Sequence, residues 1–251
     1  GECTAEAMVD ALGAFLGQYQ SHPGVASARA WLDANTELRQ SVAGRLTEPL
    51  PGRPPSFCIG CPERPVFSAL KLAQQEVGPV HIAADIGCHA FGTFEPFSSG
   101  HSILGYGMSL ASRAGVSPMM SRRVLSIMGD GGFWHNGLLT GVQSALFNQD
   151  DAVLLIFKNG YTSATGTQEI ISTPDEDARA NAPDKQQSLA HKNQTIEQTL
   201  RGMGVGWMRT VHTYRVDQMR RTLTEAFTTK YSGLKVIIAE GECQLERQRR
   251  I

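Results

Sequence analysis

Short apolar runs alternate with helical patterns over most of the chain. The runs lie at 79–85, 123–129, 152–160, 206–211 and 234–240. Between them, apolar residues recur at spacings of three and four, which is typical of amphipathic helices, over 66–77, 138–146 and 216–227. Strands that are apolar on both faces and alternate with helices indicate a mostly parallel sheet covered on both sides. We therefore predict a three-layer α/β fold.

A different pattern occupies the N-terminal part. Ala7, Met8, Ala11, Leu12 and Phe15 follow helical spacing, and a second helical pattern leads up to Leu46. Six prolines then fall within residues 47–65, and proline ends helices. We predict a helical segment with a proline-rich linker over 1–50 and a larger domain over 51–251. The polar, proline-bearing stretch at 173–188 is predicted to be a loop.

The composition excludes several classes of protein. Of 251 residues, 41% are hydrophobic and 19% are charged, a balance that is typical of globular domains. The net charge of −1 provides no general attraction to nucleic acid or an anionic membrane. No apolar run is long enough to span a bilayer, and the N-terminus lacks a signal pattern. We expect a cytoplasmic protein with neither a nucleic-acid nor a membrane partner.

Polar residues follow two successive predicted strands. The sequence GDGG begins at Gly129 after one strand, and Asn159 follows the next. Since one helix and one strand separate the two turns, Asp130 and Asn159 should face each other at one edge of the sheet. A carboxylate and an amide oxygen suit Mg²⁺, and the amides of Gly131 and Gly132 at a helix start suit phosphate. The alternative is two unrelated turns.

These motifs resemble a known family. The pattern GDG followed by NGY resembles the thiamin diphosphate fingerprint, and this resemblance assigns Asp130, the Asn159 side chain and the Tyr161 carbonyl as Mg²⁺ ligands. Together with PPSFCIGCPERPVFSALK, ADIGCHAFG and NGYTSATGTQ, it is similar to the thiamin-binding domain of indolepyruvate ferredoxin oxidoreductase, within the 2-oxoacid:ferredoxin oxidoreductases. The resemblance covers about residues 53 to 245 and implies the thiamin diphosphate-binding fold.

The resemblance to this family implies a role for four of the cysteines. Five cysteines argue against a disulfide scaffold, and the C-x-x-C pair indicates a metal or redox motif. The resemblance implies that Cys58, Cys61, Cys88 and Cys243 bind a proximal 4Fe–4S cluster. A structural zinc site or a plain thiol pair is the alternative for the first two. Cys3 receives no role.

The resemblance also implies the remaining site residues. His89, His135 and Thr165 are the catalytic candidates, although His135 alternatively packs or caps a helix and Thr165 alternatively belongs to an ordinary polar turn. The residues expected to contact the cofactor are Gly87, Cys88, Gly129, Asp130, Gly131, Gly132, Asn159, Tyr161, Thr162, Gly166 and Gln168.

The family implies an oxidative decarboxylation. Its members oxidise a 2-oxoacid with coenzyme A to an acyl-CoA and carbon dioxide, and electrons pass singly through iron–sulfur clusters to ferredoxin. We expect an aryl pyruvate substrate such as indolepyruvate. A second, pyrimidine-binding domain or subunit must supply the activating glutamate, so we expect a hetero-oligomer. The alternatives are a non-oxidative thiamin diphosphate-dependent lyase or decarboxylase, and a non-catalytic zinc-binding assembly domain.

Overall fold

The chain forms two compact units, residues 1–54 and 55–251. The computed structural model describes residues 5–19, 23–46, 48, 55–173 and 194–249. The predicted loop at 173–188 lies outside these residues except for Thr173, and so do Cys3 and the prolines at 49–54.

The first unit consists of helices. Helix α1 (Ala5–Leu16) is followed by a 3-10 turn (Gly17–Tyr19) and by α2 (Pro23–Ala43). Arg39 donates to Asp10 Oδ1 at 3.0 Å, which joins the two helices. The predicted N-terminal helices are therefore present.

Six parallel strands form the main sheet of the second unit, in the order β2-β1-β3-β4-β8-β7. They are β1 (Ile82–Ala84), β2 (Ser102–Ile103), β3 (Leu125–Gly129), β4 (Val153–Lys158), β7 (Trp207–His212) and β8 (Lys235–Glu240). All five predicted strands are confirmed. The two-residue β2 had no apolar run to reveal it, and neither did the antiparallel hairpin of β5 (Tyr161–Thr162) and β6 (Gln168–Glu169).

Helices cover both faces of this sheet. Helix α3 (Glu63–Val77) and α7 (Val216–Thr228) cover one face, and α4 (Ser109–Val116), α5 and α6 (Ile196–Gly202) cover the other. Helix α5 starts at Asp130–Gly132, continues with π-helical winding over Phe133–Gln143 and ends at Ser144–Phe147. The last helix, α8, is Gln244–Arg249. The predicted three-layer α/β fold is confirmed.

The strands contribute alternate residues to two cores. Leu155 of β4 packs in the core beneath α3 and α7, whereas its neighbours Leu154 and Ile156 pack in the core beneath α4, α5 and α6. This alternation follows from the two-residue period of a strand, and it explains why the runs are apolar without interruption.

The chain order reverses between two central strands. From β1 the chain moves outward to β2 and then returns to the other side of β1 as β3. In sheets of this kind, ligands bind at the carboxyl ends of the strands beside such a reversal. Among the described helices, none is long and apolar enough to cross a membrane.

Candidate functional site

A cleft opens where β1, β3 and β4 end. Its lining includes the segments at 86–89, 129–132 and 161–164, together with Asn159, Glu63 and Tyr106. The register explains the convergence, because Gly129 pairs with Phe157 and the two strands therefore end side by side.

Asp130 lies at the centre of this edge and is buried. Its Oδ2 accepts hydrogen bonds from the amides of Asn159 and Gly160 at 2.8 and 2.7 Å, and its Oδ1 accepts from Gly131 N at 2.9 Å. The side chain thus joins the ends of β3 and β4. Each carboxylate oxygen has two lone pairs, so Oδ1 retains acceptor capacity towards the cleft. Burial raises the pKa of Asp130 to about 7, against the opposing effect of the three amides.

Asn159 is held by the hairpin that follows it. Its Oδ1 accepts from Tyr161 N at 3.1 Å and from Ser163 Oγ at 3.0 Å. The Asn159 side chain also lies close enough to Glu63 to lower the pKa of that carboxyl group. To bind a cation, this oxygen would have to exchange one of its hairpin bonds for the ion. The Tyr161 carbonyl accepts a long, 3.5 Å bond from Ser163 Oγ.

The two glycines after Asp130 permit close backbone packing. A Cβ on Gly131 would overlap the hydroxyls of Tyr106 and Thr162, which lie 3.1 Å from each other. A Cβ on Gly132 would overlap Asp85 Oδ2. The glycines therefore keep the start of α5 within reach of the cleft, where the positive end of the helix dipole favours an anion.

Glu63, the first residue of α3, was not predicted as a site residue. It is only 3% exposed and lines the cleft. No described residue bonds to its Oε2. Burial raises the pKa of Glu63 to about 7; the nearby His89 opposes this effect and Asp130 adds to it. The sequence held a signal, because Glu63 falls in phase with Val66, Phe67 and Leu70 on the buried stripe of the helix.

A second buried acid, Asp85, follows β1 and was also missed. Its Oδ2 accepts from Gly107 N at 2.6 Å, and its Oδ1 lies 2.6 Å from Nε2 of the predicted residue His89. Burial lowers the pKa of His89, but Asp85 and Glu63 outweigh it, so the net shift is upward. The pair fixes the imidazole at the floor of the cleft. Gly87 has no room for a Cβ beside that ring.

The four cysteines of the predicted cluster are free thiols at the same edge. Cys58 is exposed, Cys61 and Cys88 are half-buried, and Cys243 is buried. Burial raises the pKa of Cys61 to about 12, with further increases from Glu63, Cys58 and Cys243. The pKa of Cys88 is raised in the same way by burial, Glu63 and the other three cysteines. The thiols therefore lie close enough to influence one another, and a cationic centre would relieve the cost of ionising them.

These thiols do not surround a single ion. Over the described residues, no group of three or more histidine, cysteine, aspartate or glutamate side chains is arranged to hold one metal ion. A cubane cluster bonds each thiolate to a different iron, so its ligands stand farther apart than the ligands of one ion. The arrangement is thus compatible with a cluster and offers no ready zinc site.

Several predicted residues lie outside the cleft lining. His135 is exposed, with its ring 5.1 Å from that of Tyr106. Thr165, Gly166 and Gln168 occupy the exposed turn of the hairpin, where Thr165 Oγ1 donates to Gln168 Oε1 at 2.7 Å. The cleft does bring together other predicted residues, namely Gly87, Cys88, His89, Gly129, Asp130, Gly131, Gly132, Asn159, Tyr161 and Thr162.

The fold and cleft define an α/β protein with a doubly covered parallel sheet and a binding site at its switch point. The model of the thiamine pyrophosphate enzyme C-terminal TPP binding domain matches residues 85–239, more than half of the chain. The chain belongs to this family of thiamine pyrophosphate enzymes.

Curated relatives agree with the resemblance seen in the sequence. The chain is 28% identical to indolepyruvate oxidoreductase subunit IorA of Methanothermobacter thermautotrophicus, over 83% of this chain and 34% of the relative. It is 30% identical to the same subunit of Archaeoglobus fulgidus, over 80% of this chain and 30% of the relative. The resemblance to indolepyruvate oxidoreductases is therefore confirmed, and the chain spans about a third of the length of these relatives.

A solved structure shares the fold. The 2-oxoglutarate:ferredoxin oxidoreductase from Magnetococcus marinus, with 2-oxoglutarate, coenzyme A and succinyl-CoA bound, superposes with a TM-score of 0.59. The likeness covers 77% of this chain and 66% of that one at 14% identity, which supports the fold alone.

Proposed function

We propose that this chain is the diphosphate-binding part of a thiamin diphosphate-dependent 2-oxoacid:ferredoxin oxidoreductase. The observation that carries the proposal is the buried Asp130, bonded to the amides that follow the next strand and directly preceding two glycines that admit no side chain. The names of the curated relatives support an aryl pyruvate such as indolepyruvate as the substrate.

Mg²⁺ would be held by Asp130 Oδ1, the Asn159 side chain and the Tyr161 carbonyl. The free acceptor capacity on Asp130 fits a hard cation with oxygen ligands. When bound, the cofactor would supply the electron sink for decarboxylation of a 2-oxoacid. The cation would offset the repulsion between Asp130 and the diphosphate, and the start of α5 would favour the phosphate charge through its helix dipole.

A 4Fe–4S cluster would be held by Cys58, Cys61, Cys88 and Cys243. Their mutual proximity and the raised pKa of Cys61 and of Cys88 support a site that needs a cationic centre. A cluster beside the cleft would accept electrons one at a time. This feature separates the proposal from a non-oxidative lyase.

Three residues are proposed to act on the substrate. His89 lines the cleft, and its Nε2 lies 2.6 Å from Asp85 Oδ1 and 3.2 Å from the Asp85 carbonyl oxygen, which fixes the orientation of the ring. His135 and Thr165 lie on the exposed side of the site, where a facing domain would bring the substrate towards them.

The complete enzyme would need further parts. We propose that a pyrimidine-binding domain or subunit supplies the activating glutamate, that coenzyme A accepts the acyl group, and that ferredoxin accepts the electrons. The protein would then be a hetero-oligomer located in the cytoplasm.

Thermal unfolding with thiamin diphosphate and Mg²⁺ tests the cofactor site. A ligand at about 100 times its dissociation constant should stabilise the protein by about 2.7 kcal/mol. Asp130→Ala should abolish the stabilisation, whereas Asp217→Ala, which removes an exposed acid on α7, should preserve it. Equal stabilisation of both variants would show that Asp130 holds no cation.

Iron analysis after anaerobic purification tests the cluster. We expect about four irons per chain, lost in Cys58→Ser and retained in Cys3→Ser. Cofactor binding without iron would favour the non-oxidative lyase. Zinc without cofactor binding would favour the assembly domain.

A further inference from the structure

The cysteine turn, residues 58–61, is the most exposed part of the proposed cluster site. Ile59 at its tip is 89% exposed, and Cys58 is exposed as well. The turn is nevertheless well fixed, because Cys61 N donates to Cys58 O at 3.1 Å and Tyr214 Oη donates to Gly60 O at 2.6 Å. A rigid turn with an apolar tip at the surface has no evident role in the core.

Arginines from three different elements flank the cysteine turn. Arg64 follows it on α3, Arg215 follows Tyr214, and Arg247 on α8 lies close enough to Tyr214 to affect its hydroxyl. All three are exposed, and none forms an ion pair with a described residue. Arg215 also lines a surface groove with the exposed His212.

The acids near these arginines do not cancel this charge. Glu246 on α8 is buried and lies 3.8 Å from Arg249. Asp217 on α7 is paired with Arg220 and Arg221. Three arginines that form no ion pair with a described residue thus flank the turn, on a chain whose net charge is −1.

We propose that the cysteine turn with Arg64, Arg215 and Arg247 is the docking surface for a small acidic iron–sulfur carrier protein. The inference rests on the proposed cluster and adds where its electrons leave the molecule. An apolar centre with a charged rim suits a brief encounter, since rim charges steer association and redox partners bury little surface. Oxidation of one 2-oxoacid releases two electrons. Each encounter transfers one electron to an oxidised carrier, so two carriers are each reduced by one electron.

Calorimetry of the whole protein, with its partner chain, against an oxidised acidic ferredoxin tests the surface. The double variant Arg215→Glu/Arg247→Glu should bind about tenfold or more weakly at about 0.01 M salt, and the difference should nearly vanish at about 1 M, where charges are screened. Arg122→Glu reverses one charge, half of the change made in the double variant, at the opposite end of the strands and should bind as the wild type does. Wild-type affinity in the double variant, or equal weakening in the control, would overturn the proposal.

A neutral substitution and an iron assay complete the test. Ile59→Ala should weaken binding several-fold at low and high salt alike, because it removes apolar contact and no charge. Unchanged binding in this variant would contradict the docking surface. Iron content is measured on each preparation. An iron-free wild type would refute the cluster and this inference together, whereas a full cluster with unaltered binding in every variant would refute this inference alone.

Discussion

Substituting Gly132 tests whether close backbone packing builds the cleft. A Cβ at this position would overlap Asp85 Oδ2 and lie 3.2 Å from Gly107 N. Those two atoms form a buried hydrogen bond of 2.6 Å, which the new methyl group would break. Loss of a bond to a charged group costs about 1.5–3 kcal/mol, and overpacking costs about 1–3 kcal/mol more. The higher helix propensity of alanine offsets up to about 1 kcal/mol of this destabilisation. Gly132→Ala should therefore destabilise the protein by about 2–5 kcal/mol.

Urea unfolding measures this effect. The midpoint should fall by about 1 M or more with an unchanged m-value. Gly115→Ala is the matched control, because no atom lies within 4 Å of its Cβ and the position is in α4. It should be neutral or stabilising by up to about 1 kcal/mol. Equal midpoints for the two variants would refute the packing argument. A second test places Gly132→Ala in an Asp85→Ala background. If Gly132→Ala still lowers the unfolding free energy by the full amount there, the two residues are not coupled and the argument is also refuted.

Other consequences concern pH and helix ends. Burial raises the pKa of Asp130 and of Glu63 to about 7 in the folded protein, from ordinary values of 3.8 and 4.5, so the folded state holds protons that the unfolded chain releases. The free energy of unfolding should thus decrease as the pH rises from about 4 to 7, and Asp130→Asn with Glu63→Gln should flatten the slope; a rise over this interval in wild type would contradict the prediction. Arg123 donates to four carbonyls at and beyond the end of α7. Arg123→Ala should therefore lower the free energy of unfolding, measured in urea, by about 2–4 kcal/mol, whereas Arg122→Ala at the neighbouring position should leave it almost unchanged. Thr195 accepts from Gln198 N at the start of α6, and Thr195→Ala should lower the unfolding free energy by about 1 kcal/mol; no loss would show that the cap is not needed.

The sequence predicted the parts of the fold that come from long local signals. The runs at 123–129 and 152–160 are buried on both faces, so their apolar character was unbroken and their strands were predicted. Strand β2 has only two residues, and it forms because β1 offers it a neighbour. Such an element depends on distant pairing and leaves no local pattern.

Some residues of the candidate site could be predicted from the sequence and others could not. Asp130 and Asn159 follow strands in recognisable turns, so chain order alone placed them at one edge. Glu63 and Asp85 had no motif of their own, and their importance appears only when burial and neighbouring charges are known. His135 and Thr165 were placed by resemblance. Their exposure reflects the helix phase and hairpin turn, which the sequence did not reveal.

The three amide bonds to Asp130 give this side chain a structural role that does not depend on any ligand. Two of them, from Asn159 and Gly160, join the ends of the neighbouring strands β3 and β4 beyond their last paired residues. A related protein that had lost the activity would still lose stability if this aspartate were substituted. Its solvent-exposed Cys58 could be substituted without that loss. In distant homologues, the presence of the aspartate alone is therefore weak evidence for activity, and the presence of the four cysteines is stronger evidence.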